Sequence, residues 1–172
     1  TRGRVCLNNL EIAHYRAHIA YLFQFPEAIF FSDSVGKELE DICAGRSEFQ
    51  KGAFDRVGVS FEEIEHRHPF TLSEGYARLT ALAMQFARQP DVLILDEPTI
   101  GLDWKHQERV IGALKEWLEP QRILVAVTHD LDLLREMQGM TWLMADGGLR
   151  WSGATQDLLS DDTLLKSYAL RA

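Results

Sequence analysis

The stretch Val92-Leu93-Ile94-Leu95-Asp96-Glu97-Pro98 decides how the rest of this 172-residue sequence is interpreted. Four aliphatic residues in succession are typical of a strand covered on both faces, and such strands belong to parallel sheets. Two carboxylates follow directly, and they are costly to desolvate without a cationic partner. We interpret Asp96 and Glu97 as part of a site for chemistry. The alternative is a strand that ends in an ordinary charged turn.

Two further apolar runs have the same character, Ile19 to Phe23 and Ile123 to Val127. All three are therefore predicted to be buried, parallel strands. A helix is predicted between the second and third strands, from Asp103 to Leu118, because its apolar residues recur at helical spacing and Asp103 can cap its start. The sequence thus predicts an α/β fold with a mainly parallel sheet.

Helical patterns fill the chain between the first two strands. Leu79, Leu82, Ala83 and Phe86 share one helix face, which predicts a helix from Ser73 to the Gln89-Pro90 pair. The stretch from 34 to 64 contains no strand-like run, and we interpret it as a small helical insertion. Near the end of the chain, a glycine turn indicates a hairpin of 140–145 with 149–151, and helices are predicted at 154–160 and up to residue 170.

A polar group follows each predicted strand: Gln24 the first, Asp96 and Glu97 the second, Thr128 and His129 the third. Ligands of open parallel sheets bind at the carboxyl ends of the strands, so these groups are expected to meet at one edge. Aliphatic residues followed by two carboxylates form a Walker B pattern. In that pattern the first carboxylate holds Mg²⁺ through water and the second polarises an attacking water.

Composition narrows the class of protein. The net charge of −8 is spread along the chain, which argues against a dedicated nucleic-acid binder. No apolar run reaches the length of a membrane-spanning helix. Cys6 and Cys43 lie far apart without metal-ligand spacing, so buried thiols in a reducing compartment are expected. The five histidines other than His129, including His106, are interpreted as solvated or packing residues.

The segment Leu72-Ser73-Glu74-Gly75-Tyr76 resembles the LSGGQ signature of ABC ATPases, the ATP-hydrolysing subunits of ABC transporters. The other motifs of that family follow in order: Gln24 matches the Q-loop, Asp96-Glu97 the Walker B pair, Gly101-Leu102-Asp103 the D-loop and His129 the H-loop. The resemblance extends from about residue 3 to about residue 153.

This resemblance implies a fold of the P-loop NTPase (RecA-like) type, with a core subdomain of residues 1–24 and 90–172 and a helical subdomain of residues 25–89. It also implies ATP and Mg²⁺ as cofactors. Glu97, His129 and Gln24 are then the catalytic residues, and Asp96 and Gln24 hold the metal. Ser73, Gly75 and Asp103 are the ATP-binding residues, and the signature helix caps ATP held by the opposite subunit.

The segments Pro69 to Gly75 and Gln24-Phe25-Pro26-Glu27 look most like the energy-coupling subunits of bacterial vitamin and metal-ion importers. Glu74 and Tyr76 depart from the usual signature glycine and glutamine. The implied partners are a transmembrane permease subunit and a second ATPase subunit, identical or different, and no nucleic acid. A helix of the permease is expected in a groove between Gln24 and about residue 69. The implied location is peripheral, on the cytoplasmic face of the cell membrane.

The phosphate-binding pattern GxxxxGK[ST] precedes Gln24 in this family, but none of the twelve glycines here matches it. Gly36-Lys37 fails because Phe31 occupies the upstream glycine position and Glu38 follows. We therefore expect the N-terminal strands and the P-loop helix to be missing, and apolar surface to be exposed as a result. We also expect this polypeptide alone to bind no measurable ATP, since several charge-assisted hydrogen bonds are lost.

Two alternatives from other classes stay open. One is a soluble ABC ATPase acting on nucleic acid or ribosomes. The other is a non-catalytic ABC-type fragment or regulatory module, which keeps the fold without the reaction. The resemblance implies ATP hydrolysis for the complete form and leaves the activity of this chain open.

Overall fold

The computed structural model describes residues 6–7, 10–11, 18–43, 50–168 and 170. The chain divides into two compact units, Thr1–Val127 and Thr128–Ala172. The subdomain boundaries expected from the family resemblance, near residues 25 and 89, stay a prediction.

The first unit alternates strands and helices. In chain order its elements are β1 (Cys6–Leu7), β2 (Leu10–Glu11), β3 (Ile19–Leu22), α1 (Val35–Cys43), α2 (Gln50–Arg56), α3 (Phe61–Ile64), α4 (Glu74–Ala87), β4 (Val92–Asp96), α5 (Trp104–Trp117) and β5 (Ile123–Val127). Short 3-10 helices occupy Pro26–Ile29 and Pro69–Thr71. The predicted helices and strands of this unit are therefore confirmed, with boundaries shifted by one or two residues. The β1–β2 ladder was not predicted.

A parallel sheet of β3, β4 and β5 organises the first unit, with β4 in the middle. Leu22 of β3 is level with Leu95 of β4, which is level with Ala126 of β5. Parallel strands place their carboxyl ends at one edge of the sheet. The segments that follow β3 and β4 therefore leave the sheet side by side.

Strand β5 does not fit the prediction that all three apolar strands are covered on both faces. Ile123, Val125 and Val127 are exposed, and the side chain of Val127 is 58% accessible. Among the described residues, β5 pairs only with β4. An unbroken apolar run indicates burial only when other elements cover both faces, and the described part of the chain does not cover this strand.

Helix α4 forms the centre of the core in the first unit. Every residue from Arg78 to Ala87 is buried, so the helix is enclosed on all sides rather than amphipathic. It contacts β3 and packs closely against α2. Helix α5 adds a second apolar stripe to the same unit through Val110, Leu114 and Trp117.

The predicted helical insertion is confirmed as helices α1, α2 and α3, and residues 44–49 lie outside the described residues. Glu38, which is 4% exposed, orders the backbone at the start of this insertion. The Glu38 Oε2 atom accepts hydrogen bonds from the backbone N–H groups of Phe31 and Ser32, both at 2.7 Å. This carboxylate therefore holds the loop that follows the first 3-10 helix.

The second unit is a hairpin followed and preceded by short helices. Its elements are α6 (Leu131–Met137), β6 (Met140–Ala145), β7 (Gly148–Ala154), α7 (Thr155–Ser160) and α8 (Asp162–Ser167). The predicted hairpin and the two final helices are confirmed, whereas α6 was not predicted. Leu131, Leu158 and Leu165 form its small core.

The predictions about membrane-spanning helices and buried cysteines can be compared with the described residues. None of the helices in the described ranges is both long and apolar enough to span a bilayer. Cys43 is buried, and its sulfur lies 3.8 Å from the carbonyl oxygen of Ala87. The side chain of Cys6 lies outside the described residues.

Candidate active site

The ends of β3 and β4 bring Gln24, Asp96 and Glu97 together. Gln24 lies two residues beyond Leu22, and Glu97 lies two residues beyond Leu95, the residue level with Leu22. Asp96 is the last residue of β4, and all three residues are half-buried. We call these three residues the strand-end cluster. Its members provide two carboxylates and one amide oxygen at one edge of the sheet.

Glu97 has an unusual backbone. Its φ is +47°, in the left-handed region that residues with a side chain rarely adopt. Such a conformation costs on the order of 1–3 kcal/mol and persists only where the surroundings hold it. The Glu97 N–H donates to the carbonyl of Val127 at 2.8 Å, and the Glu97 carbonyl accepts from the N–H of Ile100 at 3.3 Å. The backbone therefore turns sharply just after the strand.

Arg78 adds a third contact to this turn. Its Nη1 donates to the Glu97 carbonyl at 3.1 Å, and its Nη2 donates to the Gln24 carbonyl at 2.8 Å. The arginine is 2% exposed and lies in the first turns of α4. One buried guanidinium therefore bridges the backbones of two predicted catalytic residues.

The N-terminus of α4 carries the predicted signature residues. Ser73 is the N-cap residue, and its Oγ accepts a hydrogen bond from the Tyr76 N–H at 3.4 Å. Helix N-termini present unpaired N–H groups and a positive dipole end, which suits an anion. The side chain of Ser73 is exposed, so the capped end of this helix faces solvent.

The signature segment contacts the loop that leads into α5. A Cβ atom at Gly75 would lie 3.6 Å from Leu102 Cδ2 and 3.7 Å from His106 Nδ1. The Tyr76 and His106 rings are in edge-on contact, with centroids 6.0 Å apart. The structure thus brings the segment of Ser73 and Gly75 beside the segment that contains Asp103.

Glu74 is one of the two signature residues that depart from the family pattern, and its side chain lies against Gly101. A Cβ atom at position 101 would come within 2.8 Å of Glu74 Oε1. Gly101 also has a φ of +73°, which glycine adopts without strain. The absence of a side chain at Gly101 therefore leaves the space that the Glu74 carboxylate fills.

Asp103 has two roles in this loop. Its Oδ1 accepts from the His106 N–H at 2.9 Å, which caps α5, and its Oδ2 lies 2.8 Å from His106 Nδ1. These two contacts, first the backbone N–H and then the imidazole, lower the pKa of the Asp103 carboxyl below its ordinary value. Asp103 is therefore held as a carboxylate at the start of the helix.

His129 lies two residues after the end of β5 and belongs to the second unit. Its side chain is exposed, and the Asp130 that follows caps α6 by accepting from the N–H groups of Asp132 and Leu133. Within the part of the chain that the structure describes, no three His, Cys, Asp or Glu side chains group closely enough to hold a metal ion.

Sequence reasoning missed two residues of this site, Arg78 and His106. Arg78 carried a usable signal, because it is a charged residue in the first turns of a helix whose following residues are mostly apolar or small. His106 carried a weaker one, three residues after an N-cap aspartate, where its ring can reach that carboxylate. The remaining predicted site residues lie at the positions described above.

Comparison with known proteins identifies the family of the chain. The family model described as ABC transporter matches residues 1–100. An ABC transporter ATP-binding protein of Pyrococcus horikoshii is 31% identical over 182 residues, which cover 99% of this chain and 68% of that protein. The energy-coupling factor transporter ATP-binding protein EcfA2 of Streptococcus thermophilus is 34% identical over 172 residues, which cover 94% of this chain and 60% of that protein.

Solved structures share the fold. One is cbiO1 of Clostridium perfringens, part of the ABC transporter complex cbiONQ, with a TM-score of 0.76 and 24% identity over 99% of this chain and 73% of that one. A dimeric ATP-binding cassette bound to ADP and Pi has a TM-score of 0.78 and 20% identity over 90% of this chain and 74% of that one. The fold is therefore an α/β nucleotide-binding domain of the P-loop NTPase type, as predicted.

The chain belongs to the ABC transporter family and is of the ATP-binding subunit type. The predicted family is thus confirmed, and the EcfA2 relative agrees with the resemblance to energy-coupling subunits. The chain spans about two thirds or less of the length of these relatives. ATP binding and hydrolysis are properties of the family's complete domains.

Proposed function

We propose that this chain is part of the ATP-hydrolysing subunit of an ABC importer and that the strand-end cluster is its catalytic edge. The observation that carries the proposal is the bridge from Arg78 to the carbonyls of Gln24 and Glu97. It joins the ends of two parallel strands to the helix that begins at Ser73. This arrangement is useful if the strand-end cluster acts on one nucleotide and the N-terminus of α4 acts on a second.

The proposed chemistry is attack of water on the γ-phosphate. Glu97 polarises that water, and a carboxylate at the end of a buried strand suits a general base. Asp96, through a water molecule, and Gln24 would hold Mg²⁺, because this ion prefers hard oxygen ligands. His129 is assigned to the γ-phosphate by its motif alone. Mg²⁺ neutralises charge on the phosphates when bound.

The signature segment is proposed to act on a second ATPase subunit. Ser73 provides a hydroxyl, Gly75 brings backbone N–H groups close to an anion, and both lie at a helix N-terminus. Asp103 lies beside them and is ionised. The dimeric cassette with ADP and Pi supports a paired arrangement, in which this segment meets nucleotide held by the partner. The partner is identical or different.

A groove in the first unit is proposed to receive a helix of the permease. It has a volume of about 440 Å³ and is lined mainly by apolar residues that follow β3 and precede α4. Phe25 and Phe70 are 62% and 63% exposed, so the groove presents aromatic surface to solvent. Large exposed apolar groups in a concave site are typical of protein-binding surfaces. The groove lining includes Phe25, Pro26, Phe30, Pro69, Phe70, Leu72 and Glu74.

We further propose uptake of a small solute, a vitamin or a metal ion, with the subunit peripheral on the cytoplasmic face of the membrane. The EcfA2 relative and the sequence from Gln24 to Glu27 support this assignment. A soluble ABC ATPase acting on nucleic acid is the weaker candidate, because the chain is acidic and carries no basic patch in its sequence. A non-catalytic module is the second candidate, since no GxxxxGK[ST] pattern occurs in the chain.

The decisive experiment measures ATP turnover of the assembled transporter with and without Glu97. In the complete form of the subunit, Glu97→Gln should lower turnover by about 10²–10⁴-fold, the usual effect of removing a positioned general base. Glu108→Gln, an exposed residue of α5, is the control and should leave turnover unchanged. An unchanged rate in Glu97→Gln would remove Glu97 from the role, and an assembly without turnover would favour the non-catalytic candidate.

A further inference from the structure

The guanidinium of Arg78 is buried between two functional segments that are far apart in sequence. It donates to the carbonyls of Gln24 and Glu97 from a helix position one turn after the signature residues. A buried charged group is costly unless its donors are satisfied, so its presence in the buried part of α4 requires a reason. Packing alone does not provide one, because methionine or leucine would fill a similar volume without that cost.

The geometry supplies a reason. A guanidinium is planar and presents its donors in a rigid fork, so two carbonyl oxygens bound by the same fork keep a fixed separation. Here the two oxygens belong to residues that follow adjacent parallel strands. The arginine therefore sets the distance between the Gln24 and Glu97 backbones.

The distance that Arg78 sets matters because of the backbone conformation of Glu97. Its left-handed φ of +47° is a conformation that the surroundings must hold, and the Arg78 contact is made to the carbonyl of that same residue. Without that contact, the turn after β4 would lose one of the bonds that hold it. The direction of the Glu97 carboxylate would then be less well defined.

We infer that Arg78 is a positioning residue that holds Gln24 and Glu97 in register and ties both to the signature helix. The catalytic consequence of this inference rests on the proposed function. The structural role of Arg78, holding the two backbones together, does not depend on it. Since α4 also begins with Ser73, a shift of this helix is transmitted through Arg78 to the strand-end cluster. The helix thereby links the surface offered to a second subunit with the chain's own catalytic residues.

The structural part is tested by hydrogen exchange of individual amides in this chain, measured by NMR. Arg78→Met and the milder Arg78→Lys should each accelerate exchange at Glu97 and Ile100 by about tenfold or more, while Leu93 in the middle of β4 is unchanged. Arg109→Met is the matched control, because Arg109 also donates to a carbonyl of another segment, that of Gly58, and should leave Glu97 unaffected.

Two outcomes would overturn the structural part. Uniform acceleration along the first unit would show that Arg78 only contributes to core stability, and unchanged exchange at Glu97 would show that the contact is dispensable. If Arg78→Met does not fold, Arg78→Lys answers the same question. The lysine retains the charge but cannot reproduce the planar fork.

The catalytic part is tested in the assembled transporter. Arg78→Lys should lower kcat by about 10- to 100-fold, the effect of a small misplacement, and change KM by less than about threefold. Adding Arg78→Lys to Glu97→Gln should cause little further loss, because both changes act through one carboxylate. A full multiplicative loss would contradict the inference. A wild-type assembly without turnover would contradict the proposed function, while the exchange result would still decide the role of Arg78.

Discussion

Glu74 and Gly101 are so close that a methyl group at position 101 would lie 2.8 Å from Glu74 Oε1. One of the two residues that depart from the signature pattern is therefore accommodated by a glycine of the D-loop. A carboxylate at this position would repel a phosphate if its side chain pointed towards one. The structure shows where the side chain lies instead.

Gly101→Ala should lower the free energy of unfolding by about 1–2 kcal/mol from the left-handed backbone alone, and further through contact with Glu74. Denaturant unfolding of the single variants and of Gly101→Ala with Glu74→Ala measures the contact. We expect the double variant to be more stable than additivity predicts, with a coupling of about 0.5–3 kcal/mol. Additive effects would mean that Glu74 moves away at no cost.

Gly112 provides the matched control for that experiment. It lies inside α5, and a Cβ atom there would meet nothing within 4 Å. Gly112→Ala should therefore raise the free energy of unfolding by up to about 1 kcal/mol, the helix preference of alanine over glycine. The opposite signs at the two positions separate backbone strain and crowding from a general effect of alanine.

The Asp103 carboxylate should stabilise the chain in a pH-dependent way. Because the His106 N–H and imidazole lower its pKa, its contribution is present above the ordinary aspartate pKa and is lost as the pH falls through the lowered value. Asp103→Asn should therefore reduce stability at about pH 7 and have a progressively smaller effect as the pH falls below about 4 and through the lowered value, because the wild-type carboxylate then becomes protonated too.

Urea unfolding of the wild type and Asp103→Asn across that range measures the effect. His106→Gln keeps the backbone N–H but removes the imidazole contact at 2.8 Å, so it should show only part of the loss. An equal loss from Asp103→Asn at all pH values would show that the carboxylate charge does not contribute.

The groove lined by Phe25 and Phe70 should be required for assembly with the permease. Phe25→Asp and Phe70→Asp should each weaken co-purification by about tenfold or more, the effect of losing a buried aromatic anchor. The stability of the chain should change little, because both side chains are largely exposed. Phe31→Asp is the control, since Phe31 is 88% exposed and does not line the groove. Equal losses from all three changes would exclude specific docking there.

The signature end of α4 should act on the partner's nucleotide. Ser73→Arg places a bulky side chain at the N-cap and should lower the ATPase rate of the assembled pair by about tenfold or more, because a misplaced group at a reacting site has large effects. Ser60→Arg is the matched control, since Ser60 is also an exposed N-cap residue, at α3. An unchanged rate in Ser73→Arg would show that this helix end does not contact the reacting nucleotide.

The sequence predicted the positions of Gln24, Asp96 and Glu97 at the ends of adjacent strands for a physical reason, while their catalytic roles and the expected approach of His129 to them stay predictions. Buried parallel strands are recognisable as unbroken apolar runs, and the residues after them must meet at one edge of the sheet. Gln24, Asp96 and Glu97 follow from that rule. The cap residues Ser73 and Asp103 were also predicted, because capping depends on residues only three positions apart.

Burial of β5 was predicted wrongly for the converse reason. The run from 123 to 127 has the composition of a covered strand, but coverage depends on which other segments pack against it. Local sequence carries no information about those neighbours. The same limit applies to Glu97, whose left-handed backbone is held by bonds to Val127 and to Arg78.

By its order of motifs and its hydrophobic periodicity, the sequence alone established the family, the α/β fold and the candidate catalytic residues, because each depends on neighbouring residues or on spacing along the chain. Only the tertiary structure decided which backbones Arg78 bridges and where the Glu74 carboxylate lies. Contacts such as the one between Arg78 and Gln24 join residues distant in sequence, and they form only when helices and strands pack together.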